Sequence, residues 1–166
     1  MRLQALALLV SLLLIVHSVP THINRNSAFI RGKRDWINNC GNSSFHNQSS
    51  EGSPAVSDCQ QITTNIAGGR TWTVWALNRT SVHSTNTTTV KFPSIYYRKL
   101  ASYGTCAFGA YSQDGGARVG TSDIIDLIND SINRFQWSGM VGAKGSMKCQ
   151  SLNYSDVGVY WAIYHT

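Results

Sequence analysis

Apolar residues recur along this chain at two periods, and each switch of period marks a new element. Val56, Cys59, Ile62 and Ile66 stand three and four apart, which is one face of an α-helix. Ser53-Pro54 opens that run, with proline at the first helical position where its missing N–H costs nothing, and Gly68-Gly69 stops it. Cys59 therefore faces the core. A period of two takes over in Thr71–Ala76, which puts Trp72, Val74 and Ala76 on one face, and again in Gly104–Tyr111. A glycine-rich turn follows. The helical period returns in Asp123–Phe135, where Ile124, Ile125, Ile128, Ile132 and Phe135 share a face, Ser122 serves as cap and Asp123 suits the positive N-terminal end. Gly145–Cys149 and Val157–Tyr164 alternate once more, the latter with Val157, Val159, Trp161 and Ile163 on one side. A further strand is expected around Cys40, and Thr80–Thr89, rich in Ser and Thr, reads as a loop. The order helix, strand, strand, helix, strand, strand predicts an α+β fold, an antiparallel sheet with two helices packed on one face.

The N-terminal region changes what the composition means. Met1-Arg2 and the apolar run to Val16 read as a secretory signal, too short for a bilayer span of roughly 20 residues, and residues 1–18 are assigned to it. Lys33-Arg34, a dibasic pair in a polar segment, is expected to be cut by a processing protease. Residues 19–34 would then be a propeptide and residues 35–166 the mature domain. The whole chain carries +6, but the cut removes Arg2, Arg25, Arg31, Lys33 and Arg34, leaving nine bases against eight acids and a net charge of +1. Without a clustered basic excess, nucleic acid is no expected partner.

Four cysteines remain, Cys40, Cys59, Cys106 and Cys149, and their spacing fits no zinc pattern. An even number in a chain addressed to an oxidising compartment predicts two disulfides. Cys59 lies on the apolar face of the first helix and Cys106 shares its strand face with Phe108 and Ala110, so Cys59 is expected to meet Cys106 and Cys40 to meet Cys149. Strand pairing could instead bring Cys106 beside Cys149. Six sequons, at Asn42, Asn47, Asn78, Asn86, Asn129 and Asn153, are candidate glycosylation sites on the surface.

Few residues suggest catalysis. Gly115, Gly116 and Gly120 precede a helix N-terminus, as in a phosphate cradle, yet the lysine of a P-loop is missing. His46, His83 and His165 lie in loop-like sequence or at the C-terminus, and no GxSxG elbow exists. The acids Asp123, Asp126 and Asp130 are expected on the solvated face of one helix. The reading is therefore a non-enzymatic protein with no cofactor and no metal, monomeric. Two places suggest surface contact. Trp75 lies opposite Val74, and Tyr96, Tyr97, Arg98 and Lys99 could form a headgroup- or glycan-contacting edge or simply lead into the next strand.

Laid in order, several stretches are similar to one fungal family. They are Cys40-Gly-x-x-x-Phe45, Ser53-Pro-x-x-x-Asp58-Cys59, Trp72-Thr-Val, Ser102-Tyr-Gly-Thr-Cys-Ala-Phe108, Val119-Gly-x-x-Asp123-Ile-Ile-Asp-Leu-Ile, Ile132-x-x-Phe135, Val141-Gly-Ala-x-Gly-x-Met-x-Cys149 and Val-x-Trp161-x-Ile163. Together they resemble the Extracellular Protein Two effectors, or necrosis-inducing factors, from about Cys40 to Ile163. The resemblance implies a secreted effector domain over residues 35–166 that binds an unidentified host cell-surface or membrane component. It also suggests an alternative, a killer-toxin-like antimicrobial, because the domain has been related to small killer toxins; a small secreted hydrolase is the other competing reading. Family members also occur fused to fungal chitinases, for which a chain of this length is expected to have no room. No functional residue carries over beyond the four cysteines, and Thr80 to Ser94 shows no family letters.

Overall fold

A computed structural model of the protein describes residues 37–76 and 97–166, all within a compact unit running from Arg34 to Thr166. The signal segment, Lys33 and Arg34, Asn78 and Asn86, His83, the Thr80–Thr89 stretch and Tyr96 lie outside the described residues. In chain order the elements are β1 (Cys40–Ser43), β2 (His46–Asn47), α1 (Val56–Ile66), β3 (Thr71–Trp75), β4 (Arg98–Tyr103), β5 (Cys106–Ser112), β6 (Gly116–Gly120), α2 (Thr121–Phe135), β7 (Ala143–Gln150) and β8 (Asp156–His165). A six-stranded sheet runs β1-β7-β8-β5-β4, with β2 also pairing β7. Beside it, β3 and β6 form a separate two-stranded ribbon. All these strand pairs are antiparallel. The fold is α+β, as the periodicities predict.

Strand alternation decides which residues meet the helices. Cys106, Phe108 and Ala110 of β5 and Val159, Trp161 and Ile163 of β8 form one core with Cys59 and Ile62 of α1 and Ile124, Ile128 and Ile132 of α2. Trp161 is fully buried, with Phe45 set edge-on at 5.2 Å and Phe108 stacked at 6.3 Å. Its cross-strand partner is Gly145, where an added Cβ would run into the Ser44 carbonyl and the Trp161 ring. Cys59 bonds Cys106 and so pins α1 to β5. Cys40 bonds Cys149, its direct cross-strand partner, joining β1 to β7.

Four expectations need correction. Helix α1 starts at Val56 with Ala55 as N-cap, so Pro54 precedes the helix. Ser53 serves the turn before it, its hydroxyl accepting the Ser50 N–H at 2.9 Å. Helix α2 starts at Thr121 with Gly120 as N-cap, because Asp123 reaches back to accept the Gly120 N–H at 2.7 Å. Ser122 lies inside the helix, its buried hydroxyl without a hydrogen-bond partner. The expected turn at 115–120 is mostly strand: β3 needs an antiparallel partner, and Gly116 fits opposite Trp75 where a Cβ would meet Trp75 and Leu152. Finally, Asp123 is buried rather than solvated, and it also accepts the N–H groups of Asn39 at 3.0 Å and Cys40 at 3.2 Å. It thereby ties the N-terminal segment to α2.

Candidate functional site

The alternation that sends Phe108 and Trp161 to the helices sends a second set of residues to the opposite side of the sheet. In β5 and β8 this set pairs Ala107 with Tyr164, Gly109 with Ala162 and Tyr111 with Tyr160. Across β7 it continues as Lys144 beside Ala162, Ser146 beside Tyr160 and Lys148 beside Gly158, and across β4 as Lys99 beside Gly109. The helix-free face is thus built of tyrosines and lysines with small residues between them.

The small residues let the rings close up. Tyr111 stacks on Tyr160 with ring centroids 5.1 Å apart and planes 22° apart. Tyr97 adds a third ring 5.3 Å from Tyr111 and reaches Tyr164 at 6.5 Å. It lies over Gly109, where a Cβ would meet Tyr97 at 2.8 Å and Tyr164 at 3.1 Å. Burial, helped by Tyr111, pushes the Tyr97 phenol up to about 12, and burial also raises Tyr111 and Tyr164. These three phenols therefore stay neutral at physiological pH, and Tyr164 is itself buried.

Tyr111 covers one face of Tyr160, and Tyr160 borders a groove of about 400 Å³. Ser146 and Lys148 of β7, Asn42 and Ser44 at the β1 edge, and Gln113 complete the wall. Gln113 is anchored by its N–H to the Gly158 carbonyl at 2.7 Å, and its side chain lies over Gly158, where a Cβ would meet it at 2.7 Å. Tyr160 remains 38 % exposed.

Of the residues singled out from sequence, Tyr97 and Lys99 belong to this face. Arg98, between them, points the other way, as strand alternation requires: it pairs Ala110, and its guanidinium donates to the Thr73 carbonyl at 2.7 Å. The expected Tyr-Arg-Lys edge is therefore split between two sides of the sheet. Trp75 is 55 % exposed at the end of the ribbon. On the same ribbon Arg118 lies 5.4 Å from the ring of Tyr154, an exposed residue held at a φ of 63°. Trp137 is half exposed because it forms the stem of a tight turn through Ser138 and Gly139. Asn42, Asn47, Asn129 and Asn153 are all exposed.

Sequence reasoning missed Tyr111 and Tyr160 as surface candidates. Their signal was present, since both occupy the strand positions opposite in parity to the apolar face already recognised.

Two other arrangements that could have carried chemistry are already satisfied internally. At the N-terminus of α2 the Gly120 N–H is taken by Asp123, the Thr121 N–H by Arg70 at 2.9 Å and the Ser122 N–H by Ile37 at 3.1 Å. A carboxylate stands where a phosphate would have to sit. Thr105 lies beside Asp58, but its hydroxyl donates to that carboxylate at 2.7 Å and accepts the Ala55 N–H at 2.9 Å. It acts as a lock at the start of α1.

That lock makes a pH prediction. The Thr105 backbone N–H, at 2.8 Å, and then its hydroxyl hold the Asp58 carboxyl below the usual carboxylate range. A carboxyl depressed in the folded state contributes stability that is full above its unfolded pKa and is lost as pH falls through the folded value. As pH falls below about 4, the ordinary carboxylate value, the unfolding temperature of the wild type should therefore fall more steeply than that of Asp58→Asn. Parallel slopes would show that Asp58 holds no such bond.

The described chain matches, over residues 39–149, the family model described as "Pathogen effector; putative necrosis-inducing factor". A protein called "Probable chitinase LysM18", from Penicillium expansum, is 31 % identical over 136 residues, a match covering 77 % of this chain and 8 % of that one. The chain thus spans less than a tenth of that relative's length.

Proposed function

The chain belongs to the necrosis-inducing-factor family of pathogen effectors, and from that premise we propose that it is a secreted, non-enzymatic effector that acts on host cells by binding a component of their surface through the helix-free sheet face. The observation that carries this reading is the row of Tyr97, Tyr111 and Tyr160 across three neighbouring chain segments, with ring distances of 5.3 and 5.1 Å. Tyr97 packs on a small buried cluster of Ala107, Ala162 and Tyr164, whereas Tyr160 keeps aromatic area exposed, and aromatic rings with a wet polar end are the usual anchors of recognition surfaces. Both disulfides fit an oxidising, extracellular setting, and with all four cysteines bridged no thiol is free to act as a nucleophile.

The chitinase-named relative favours a second reading, a toxin-like protein directed at microbial cells. Microbial growth assays separate the two.

Fluorescently labelled mature protein should decorate host cells and, infiltrated into host tissue, cause cell death. Tyr160→Ala should lower cell labelling at least tenfold while near-UV circular dichroism stays native. Unchanged labelling by that variant would overturn the surface assignment, and killing of microbes without any effect on host tissue would favour the second reading.

A further inference from the structure

We propose that the groove beside Tyr160 binds an acidic oligosaccharide, a run of uronic-acid units, an inference that rests on the reading of the helix-free face as the recognition surface. The argument begins with the ring. Tyr111 stacks on one face of Tyr160, leaving the other face uncovered by it, and Tyr160 lines the groove. A sugar ring presents a flat face of C–H bonds that packs against such a surface, while its hydroxyls point outward round the edge.

The rest of the wall suits those hydroxyls. The amides of Asn42 and Gln113 each offer donors and an acceptor, and the Ser146 hydroxyl, 3.0 Å from that of Ser44, keeps capacity for another bond. A volume of about 400 Å³ lies within the range of ligand sites, roughly 300–1,000 Å³. An acyl chain would strand these amides and hydroxyls without partners, which disfavours a lipid occupant.

Charge then selects among sugars. Lys148 lines the groove, no carboxylate among the described residues does, and Lys99 is exposed on the same face. A neutral sugar would use the ring and the amides but leave the ammonium groups unanswered. A carboxylate on each sugar unit answers them, and the attraction is sensitive to salt. Asn42 is both a wall residue and a sequon, so a glycan attached there would hang over the groove.

The test uses secreted protein whose Asn-linked glycans have been trimmed to one sugar. Titration calorimetry compares a hexamer of galacturonate, its methyl ester and a hexamer of N-acetylglucosamine. The acidic hexamer should bind at least tenfold more tightly than either neutral one, and more weakly in 0.5 M salt. Tyr160→Ala and Lys148→Gln should each weaken it tenfold or more, while Tyr154→Ala, in the turn between β7 and β8, leaves it unchanged. Native near-UV circular dichroism of each variant shows that folding is retained. Equal binding of the neutral hexamers, or no binding of the acidic one, overturns the ligand assignment. If Tyr160→Ala still abolishes labelling of host cells in that case, the face remains the recognition surface and only the ligand is wrong. If the variant labels cells normally, both fall together.

Discussion

Replacing Cys40 and Cys149 together by serine is expected to lower the stability of the domain by about 4–5 kcal/mol, the chain-entropy value for closing a loop of around a hundred residues. The bridge spans a sequence separation of 109. It also holds β1, a strand of four residues at the margin of the sheet, in place against β7. That strand and the residue before it bring the N–H groups of Cys40 and Asn39 to the buried Asp123 carboxylate, so loosening it withdraws donors from a group that burial already disfavours. Desolvation outweighs its hydrogen bonds and raises the Asp123 carboxyl above its ordinary value. Small domains have roughly 5–15 kcal/mol in all, which places the variant close to unfolding at 37 °C. Urea denaturation followed by tryptophan fluorescence measures the loss. A cost below about 1 kcal/mol would show that the bridge constrains little that the sheet does not already hold.

The second large effect is at Trp161. Trp161→Ala should cost about 3–5 kcal/mol, the range for removing a buried large aromatic side chain and leaving a cavity. The site is poorly placed to collapse, because Phe45 and Phe108 contact the ring from two sides and Gly145 across the strand supplies no side chain to fill the gap. Trp161→Phe should cost far less, about 1–2 kcal/mol. Part of the lost volume is offset there by removal of the indole N–H, which is buried without a hydrogen-bond partner and so carries an uncompensated desolvation cost. Denaturant midpoints for the two variants give the comparison. Equal losses would show that the phenylalanine ring recovers none of the packing and that the cavity argument fails.

Periodicity revealed the elements better than it revealed their partners. The apolar stripes of α1 and α2 and the inward faces of β5 and β8 were legible because each rests on local spacing alone. From those stripes it followed that Cys59 and Cys106 face one another across the helix–sheet interface. The β3–β6 ribbon was not legible, since Gly116 to Gly120 look like a turn until a partner strand is known. Asp123 was misplaced for a related reason. Its helical position suggested the solvated face, but its role is set by Asn39 and Cys40, more than eighty residues earlier in the chain. The candidate site was half legible. Tyr97 and Lys99 stood out as part of a run of notable letters, whereas Tyr111 and Tyr160 drew no notice, because a tyrosine in a strand gains meaning only when the register puts another beside it.

The two bridges also determine how the molecule responds to a broken backbone. The stretch from residue 77 to residue 96 lies between Cys59 and Cys106 in sequence and is enclosed by the longer Cys40–Cys149 loop as well. A protease that nicks the chain anywhere in that stretch produces two fragments joined by two covalent links, so the nicked product still migrates as one species until it is reduced. Sequence inserted there falls between anchored ends in the same way. Such a segment is free to drift between relatives while the cross-linked frame around it persists.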